Sequence, residues 1–404
     1  MRAEQSQRLE FKNRVFWLVW NIPFGKCISY GDLATLAGNP RAARIVGGIA
    51  HNGPSDLPWH RVVYKDGKLA SGFPGGPSNQ KEMLQSESIE FTDDDIVSNN
   101  KIFWWTPPSS ILKPIVVIIG ETASGKSSIA MGLAKEFSGS IISADAWTVR
   151  RGLDIGTAKP SREDQAQVKH YLIDEVNVDE SFSAAKFKDL AKDAIRDSYS
   201  SRSLPIIVGG NGLYVDGLIY GYSFLEQYDE SLRKWLQSLD TKEVLNEASA
   251  LGLDCSGVDT KNKRRLIRLI ETQGHHPLRS PVRRPNTLLL GVRRTSEEMK
   301  ARIKERIDQM IEVGLVDEVR NLVDKHGWDN EIMKAICYRE FEGYFEGDKS
   351  LEEVKSLIVR STNNLAKRQR TWNRKYEDIH WLSAIEEASR LVCKFLDQSG
   401  YNTK

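Results

Sequence analysis

The stretch Gly120-Glu-Thr-Ala-Ser-Gly-Lys-Ser127 decides the fold of this 404-residue chain. It has the pattern Gly-x4-Gly-Lys-Ser, it follows an apolar run at 115–119, and it leads into a helical pattern at 128–134. In such a phosphate loop, backbone N–H groups surround a di- or triphosphate, the lysine adds a positive charge, and the serine hydroxyl coordinates magnesium. The sequence therefore predicts a phosphorylated ligand, held by Lys126 and by magnesium on Ser127. The other loop residues expected to bind it are Gly120, Glu121, Thr122, Ala123, Ser124 and Gly125.

Two further apolar runs end in polar residues that could serve this ligand. The run at 141–144 leads to Asp145, and the run at 204–208 leads through two glycines to Asn211. Because ligands bind at the carboxyl ends of parallel strands, both side chains are expected near the phosphate loop. A carboxylate there is either a magnesium ligand or a general base. The predicted fold class is α/β, with a parallel sheet that carries the phosphate loop.

Composition excludes several classes of protein. The four cysteines are scattered without a Cys-x-x-Cys pair, so neither a disulfide framework nor a zinc site is indicated, and a reducing compartment fits. The start of the chain lacks the apolar core of a signal peptide, and no run of 18 apolar residues occurs. A cytoplasmic monomer without a membrane span is therefore expected. The net charge is only +2, so any nucleic-acid-binding surface must be local.

The composition changes over residues 93–112. An acidic run, a polar run and two adjacent prolines follow one another there, which is typical of a linker. The sequence therefore predicts a small domain at 1–92 and a larger one at 113–400. Trp104 and Trp105 lie in the linker, and their indoles are expected to pack onto one of the domains.

The first domain has the pattern of a helix-turn-helix. A helical segment at 29–37 ends at Gly38, and a second segment begins after Asn39-Pro40. Small residues on the second helix allow close approach to a nucleic-acid groove. The sequence predicts a small helical, winged-helix-like (helix-turn-helix) domain before the α/β domain.

Residues 22–26, 29–31, 42–47 and 58–63 together resemble the active-site domain of O6-alkylguanine-DNA alkyltransferases. That family carries its alkyl acceptor as Pro-Cys-His-Arg, and here Trp59 replaces the cysteine, so the thiolate chemistry is gone. The same replacement marks the alkyltransferase-like proteins, which bind alkylated guanine in DNA without repairing it. The resemblance implies that one side chain rotates the target phosphate, another fills the gap left by a flipped base and a third lines the lesion pocket. In that order these are Tyr30, Arg44 and Trp59, with His60 and Arg61 beside them.

One other interpretation of this domain stays open. The net charge over residues 1–90 is +3, from 11 basic and 8 acidic residues, a thin basis for tight DNA binding. The domain could therefore be a relic that holds the chain together. Cys27 lies on a different segment from Trp59 and is expected to be a buried thiol rather than a substitute nucleophile.

A series of motifs accompanies the phosphate loop, at residues 143–145, 153–160, 170–174, 182–185, 208–214, 262–268, 310–319, 338–340 and 366–372. In order and spacing they resemble those of tRNA dimethylallyltransferases over roughly residues 113–385. That family transfers a dimethylallyl group from dimethylallyl diphosphate to N6 of the adenosine just 3′ of the anticodon. The resemblance implies magnesium as cofactor, tRNA as partner through its anticodon stem-loop, and Lys126, Asp145 and Asn211 as catalytic residues.

Local basic clusters indicate the tRNA side. Residues 261–268 carry five basic side chains in eight, and residues 367–375 carry five in nine with Trp372 among them. Basic groups bind phosphates, and an aromatic ring can stack on a loop base. Residues 229–280 are expected to form an inserted helical domain that grips the anticodon stem, and Arg302 and Arg306 could reach the site. The implied tRNA contacts are Asp145, Ala146, Trp147, Thr148, Arg264, Arg265, Arg268, Tyr338, Arg339, Lys367, Arg368, Gln369 and Trp372.

The sequence departs from the family pattern at four positions, which puts rate and tRNA specificity in question. Ala146 stands where the family has serine, Asn211 where it has threonine, Cys337 where it has glycine and Asn363 where it has arginine.

Three other functions remain open. Trp59, Ala146 and Asn211 favour a nucleic-acid-binding protein without catalysis, whereas Lys126 and Asp145 argue against it. A P-loop kinase of a small metabolite would need neither basic cluster. Prenylation of a free adenine nucleotide would not need the region around Trp372.

Overall fold

The computed structural model describes residues 2–225, 229–382 and 384–401. Their contacts divide the chain into two compact units, one of Met1–Gly221 with Ser280–Lys404 and one of Tyr222–Arg279. None of the helices in the described ranges combines the length and apolar character that a membrane crossing requires.

The first unit begins with a helical domain that contains the predicted helix-turn-helix. Ser29 caps the first helix of the pair, because its hydroxyl accepts the Asp32 N–H at 3.0 Å. The core is formed by apolar side chains such as Val15, Leu18 and Val46, all fully buried. The elements are α1 (Arg2–Trp20), β1 (Ile28–Ser29), α2 (Tyr30–Leu36), α3 (Ala43–His51), β2 (Val62–Val63) and α4 (Gly76–Ser86).

The segment predicted as a linker packs onto this helical domain. Val97 and Phe103 are buried, and the Trp105 N–H donates to the Cys27 carbonyl at 2.8 Å. The Trp104 indole donates to the Ser98 carbonyl at 3.1 Å, and both indoles join apolar clusters of the domain. The packing predicted for the two tryptophans is therefore confirmed.

The rest of the first unit is built on a six-stranded sheet with the order β5-β4-β6-β3-β7-β8, in which every pair is parallel. The predicted fold class is confirmed. The strands are β3 (Ile115–Gly120), β4 (Gly139–Ser143), β5 (His170–Tyr171), β6 (Leu204–Gly209), β7 (Thr287–Val292) and β8 (His380–Leu382). The α-helices that follow β3 in the chain, between and after the other strands, are α5 (Lys126–Glu136), α6 (Arg162–Gln167), α7 (Ala184–Ser200), α8 (Gly212–Ile219), α9 (Glu230–Ser238), α10 (Thr241–Ala250), α11 (Lys263–Glu271), α12 (Ser296–Glu312), α13 (Leu315–His326), α14 (Glu342–Phe345), α15 (Leu351–Asn373) and α16 (Ile385–Ser399).

Helices cover both faces of the sheet, which is why its central strands are continuously apolar. Val117 and Ile119 of β3 pack with α7 and α8, whereas Val116 and Ile118 pack with α5 and α16. This alternation follows from the two-residue period of a strand. A third core joins α12, α13 and α15 beside the carboxyl edge of the sheet.

The second unit, Tyr222–Arg279, contains α9, α10 and α11 around its own apolar core of Leu236, Val244 and Leu266. Its buried carboxylate, Glu271, binds the Arg233 guanidinium through two bonds of 2.5 and 2.7 Å. All three helices lie within residues 229–280.

Candidate functional site

The phosphate loop turns between β3 and α5 through two left-handed residues. Gly125 has φ 95° and Ala123 has φ 62°, and Gly125 caps the helix. A side chain at Gly120 would place its Cβ 2.8 Å from the Val292 carbonyl oxygen. Glycine is therefore required where the loop leaves the sheet, and the loop opens onto the N-terminus of α5, which favours an anion.

Helix α15 holds this loop in place. Arg370 binds Glu121 at two points, Nε to Oε1 and Nη2 to Oε2, both at 2.8 Å. The neighbouring Gln369 accepts the Thr122 N–H at 2.7 Å and donates to the Gly210 carbonyl at 3.2 Å. One helix thus fixes the phosphate loop and the loop after β6.

Lys126 is the half-buried cation of the loop. Its ammonium donates to the Glu121 carbonyl at 3.2 Å. Burial, together with the positive charge of Arg306, lowers the pKa of Lys126 to about 8, although Asp145 acts in the opposite direction. A diphosphate would supply the negative charge that this buried ammonium lacks.

A cavity of about 110 Å³ joins the phosphate loop to Asp145. One side is apolar, and the other carries a carboxylate, a guanidinium and hydroxyls. Burial lowers the pKa of the Arg306 guanidinium, while Cys337 and Asp145 oppose that effect. The cavity is lined by Thr122, Ala123, Asp145, Trp147, Gly156, Thr157, Ile303, Arg306, Ile307, Met310, Ile336, Cys337, Thr362 and Leu365.

One of the two carboxylate oxygens of Asp145 accepts hydrogen bonds from the backbone. Its Oδ1 accepts the N–H groups of Trp147 at 2.8 Å and Thr148 at 3.3 Å. Within the part of the chain that the structure describes, no recorded hydrogen bond reaches Oδ2. The backbone bonds fix the carboxylate at the cavity wall and leave the second oxygen for a ligand.

The loop chemistry suits a diphosphate with magnesium. The Ser124 hydroxyl is fully buried and has no hydrogen-bond partner among the described residues, so it is an unused polar group inside the cradle. Ser127 is exposed at the start of α5. In the described ranges no group of three His, Cys, Asp or Glu could hold a metal by itself. A magnesium ion here would depend on Ser127 and on oxygens of the ligand.

Arg302 and Arg306 reach the site from α12, as their helical spacing allows. The Arg302 Nε donates to the Ala123 carbonyl at 2.8 Å, and Arg306 lines the cavity. Arg294 adds a weaker bond of 3.4 Å to the Ser124 carbonyl. The sequence predicted that both arginines could reach the site, and their i, i+4 spacing places them on one face of α12.

The residues with implied tRNA contacts differ in exposure. Arg264, Arg265, Arg339, Lys367 and Arg368 are exposed, while Arg268, Ala146 and Trp147 are half-buried. Thr148 is 6% exposed, and its hydroxyl lies 3.0 Å from that of Ser143. The structure therefore gives Thr148 a supporting place behind Asp145 rather than a surface for RNA.

Tyr338 is fully buried and supports a loop of the cavity. Its hydroxyl donates to Glu318 at 2.8 Å, and the same carboxylate accepts the N–H groups of residues 154–156 at 2.8–3.0 Å. A Cβ at Gly156 would lie 2.6 Å from the Tyr338 ring. Burial and the Glu318 charge raise the pKa of Tyr338, so the phenol stays a donor.

Trp372 lies near the end of α15, and its half-buried indole packs against the start of α8. A Cβ at Gly212 would lie 2.1 Å from its Cδ1, and the Lys375 ammonium lies 4.0 Å from the centre of its ring. The indole therefore fits α15 onto the start of α8. Asn211 precedes that helix as its cap and accepts the Tyr214 N–H at 3.4 Å.

Two of the departures from the family pattern are accommodated locally. Burial raises the pKa of the Cys337 thiol to about 12, so the cysteine at the cavity wall is not a nucleophile. Asn363 donates to the Val359 carbonyl of its own helix at 2.9 Å.

The predicted lesion-binding residues of the helical domain differ in their exposure to solvent. Arg44 is exposed at the start of α3, and Tyr30 is half-buried, with its ring centre 5.6 Å from that of Tyr64. Burial, and to a lesser extent Tyr64, raises the pKa of Tyr30 to about 12. Trp59 is 7% exposed and donates its indole N–H to the Pro54 carbonyl at 3.0 Å.

His60 and Arg61 both bind one buried carboxylate, Glu87. The His60 Nε2 lies 2.7 Å from Glu87 Oε1, and Arg61 donates Nε and Nη2 to the same group at 2.7–3.0 Å. Burial lowers the pKa of His60 despite this bond. The sequence did not indicate Glu87, because it lies 26 residues away along the chain. Cys27 is buried as expected, and burial raises its pKa to about 12.

Comparison with known proteins agrees with this geometry. The family model described as IPP transferase matches residues 148–376, and that of the 6-O-methylguanine DNA methyltransferase DNA-binding domain matches residues 10–89. The tRNA dimethylallyltransferase of Acetivibrio thermocellus is 41% identical over 292 residues, which are 67% of this chain and 92% of that protein. That of Alkaliphilus oremlandii is 37% identical over 308 residues, 72% and 98% of the two chains.

A solved structure shares the fold. The full-length tRNA isopentenylpyrophosphate transferase of Bacillus halodurans matches with a TM-score of 0.55 and 32% identity, over 71% of this chain and 98% of that one. The parallel sheet and its phosphate loop define an α/β protein of the P-loop type, and the matches to these relatives show that it is a transferase. The chain belongs to the IPP transferase family and carries in front of it a domain of the 6-O-methylguanine DNA methyltransferase DNA-binding type.

Proposed function

We propose that this enzyme transfers a dimethylallyl group from dimethylallyl diphosphate to N6 of the tRNA adenosine next to the anticodon on its 3′ side. The observation that carries the proposal is the cavity that joins the phosphate loop to Asp145. Its apolar side suits a branched five-carbon group, and its polar side suits the two reacting ends. The relatives named tRNA dimethylallyltransferase support the same reaction.

The loop side of the cavity would stabilise the leaving group. When the bond between the allylic carbon and oxygen breaks, the electron pair goes to the diphosphate, which gains negative charge. Lys126, the loop N–H groups and Arg306 provide positive charge at that end, and such interactions grow in the transition state. Magnesium on Ser127 would add further positive charge at the diphosphate.

Asp145 would accept the proton of the nucleophile. Adenine N6 forms the new bond to carbon, and its proton must leave. The Oδ2 atom is available for this proton, because the two backbone bonds go to Oδ1. These bonds also hold the carboxylate still, so the base is oriented before the substrate arrives.

The tRNA would bind along exposed basic side chains. Lys367 and Arg368 lie on α15 beside the residues that hold the phosphate loop, and Arg264 and Arg265 lie on the insert. Bound phosphates would position the anticodon loop, and the target base would enter the cavity.

Labelled dimethylallyl diphosphate, with magnesium and either tRNA or AMP, tests the proposal directly. We expect label in tRNA at the adenosine 3′ of the anticodon and none in AMP. Label in AMP alone would favour a free-nucleotide prenyltransferase, and no label in either would favour a binding protein without catalysis.

We further propose that the amino-terminal domain binds alkylated guanine in duplex DNA without removing the alkyl group. The match to the DNA-binding domain and the exposed Arg44 support binding. Trp59 supplies no thiolate, so no transfer to the protein can follow.

A further inference from the structure

The first helix of the amino-terminal domain contacts the chain where it leads into the helical insert. The indole N–H of Trp20, the last residue of α1, donates to the Gly221 carbonyl at 2.7 Å, across 201 positions of sequence. Gly221 is the last residue of the first unit before the insert begins at Tyr222. The hydrogen bond therefore lies at the entry to the insert.

Gly221 is shaped for this contact. Its φ is +58°, in the left-handed region that favours glycine. A Cβ at this position would lie 2.9 Å from the Trp20 Nε1 and 3.3 Å from the Trp17 Cη2. Two tryptophans of α1 thus press against a backbone position that leaves no room for a side chain.

The segment that returns from the insert also contacts the amino-terminal domain. Val282 and Trp20 both pack against the apolar core that contains Phe16. The entering and returning segments bind each other as well. The Ser280 N–H donates to the Tyr220 carbonyl at 2.9 Å, and the Arg284 N–H donates to the Ile219 carbonyl at 2.6 Å. Both connections of the insert are therefore held at one place.

We propose that the amino-terminal domain clamps the two connections of the helical insert, and that Trp20 is a positioning residue for tRNA binding. The part that concerns tRNA rests on the proposed function. Restricting the connections in the free enzyme lowers the conformational entropy that must be lost when a large ligand binds. The domain would then promote tRNA binding through the insert without touching the reacting atoms.

The test is Trp20→Phe in the full-length protein, which removes the N–H donor and keeps an aromatic ring. We expect faster amide hydrogen exchange in peptides covering 219–222 and 280–284. The KM for tRNA should rise by up to about fivefold, because the coupling to tRNA binding is bounded by the contribution of one hydrogen bond, while kcat at saturating tRNA stays unchanged.

Trp104→Phe is the matched control. It also removes an indole N–H bond to a backbone carbonyl, that of Ser98, but away from the insert connections. We expect it to leave exchange at 219–222 and the KM for tRNA unchanged. A double-mutant cycle with Gly221→Ala should show coupling to Trp20→Phe, because the two residues touch.

Unchanged exchange at the connections in Trp20→Phe would overturn the clamp. Faster exchange with an unchanged KM for tRNA would overturn the positioning role, and so would a loss confined to kcat. If the wild-type enzyme modifies no tRNA, the proposed function fails, yet the exchange measurement still decides whether the clamp exists.

Discussion

Glu121 and Arg370 form a two-point ion pair across 249 positions of sequence, with both nitrogen–oxygen distances at 2.8 Å. The Glu121 side chain is 6% exposed, so removing Arg370 would leave a buried carboxylate without its ion-pair partner. Because Glu121 is the second residue of the phosphate loop, the pair ties loop geometry to α15.

Replacing Arg370 with lysine should disturb the loop without unfolding the protein. Lysine keeps the charge but cannot make the planar two-point contact. We expect kcat/KM for dimethylallyl diphosphate to fall about tenfold, which corresponds to one charge-assisted hydrogen bond. The control is Arg390→Lys on α16, where the arginine is exposed. Equal kinetics in the two variants would show that the pair is not needed for loop geometry.

Lys126→Ala should nearly abolish transfer while the fold is kept. Removing a positive charge at the leaving group costs on the order of 10²–10³-fold in rate, because the interaction strengthens in the transition state. Single-turnover rates and a thermal melt measure both parts. Lys135→Ala, at the exposed far end of the same helix, serves as the control. Unchanged turnover in Lys126→Ala contradicts the assignment of the phosphate loop.

The pH dependence should report Lys126 in the free enzyme. Since its pKa is lowered to about 8, the ammonium is charged below that pH and loses its proton as the pH rises through it. We expect kcat/KM for dimethylallyl diphosphate, at saturating tRNA, to decline above about pH 8. The bound diphosphate stabilises the charged form, so kcat should decline only at higher pH. In Lys126→Arg the decline should shift to higher pH, because a guanidinium keeps its proton at higher pH than an ammonium. A decline that stays at the same pH in this variant would belong to another group.

Asp145→Asn should separate binding from chemistry. Asparagine keeps the shape and can still accept the N–H groups of Trp147 and Thr148, but it is no base. We expect the affinities for tRNA and diphosphate to persist and the rate to fall on the order of 10²-fold or more. Asp193→Asn is a suitable control, because Asp193 is an exposed carboxylate that forms an ion pair with Arg196. Collapsed binding with normal residual turnover would instead mark Asp145 as a metal ligand or a structural residue.

Arg44→Ala should weaken binding to a duplex with O6-methylguanine more than binding to an undamaged duplex. The side chain is needed only once a base has left the stack. The full-length protein is used because residues 97–105 contribute to the core of the amino-terminal domain. Affinities are compared at one salt concentration, with Arg41→Ala, also exposed, as the control. Equal affinity of the wild type for both duplexes would favour the interpretation that the domain is a relic without lesion recognition. A preference for a tRNA anticodon stem over either duplex would instead indicate that the domain helps the transferase bind its substrate.

Local sequence predicted a parallel sheet, the phosphate loop and the position of Asp145 near that loop, because each follows from short runs of neighbouring residues. It could not predict which polar side chains are buried. Thr148 and Tyr338 have the types expected of RNA contacts, yet a hydroxyl bond to Ser143 and one to Glu318 place them inside the protein. The latter pair is separated by 20 residues, and one sequence does not reveal such pairings.

Long-range contacts account for the other differences. Gln369 was expected among the tRNA contacts, and the structure has it bridging Thr122 and Gly210. His60 and Arg61 are tied to Glu87, and Trp20 to Gly221. Each of these pairs joins segments whose proximity is set by the whole fold, so composition and spacing could not predict them.

Helix α15 imposes an unusual constraint on how this sequence can evolve. Gln369 and Arg370 point to the phosphate loop, while Lys367 and Arg368, just before them, are exposed. Single substitutions at the exposed pair leave these loop contacts in place. Inserting or deleting one residue upstream in the helix would turn everything after it by about 100° and detach the loop from its support. Across descendants of this chain, the exposed positions of α15 should therefore vary in residue type, while the number of residues in the helix stays constant.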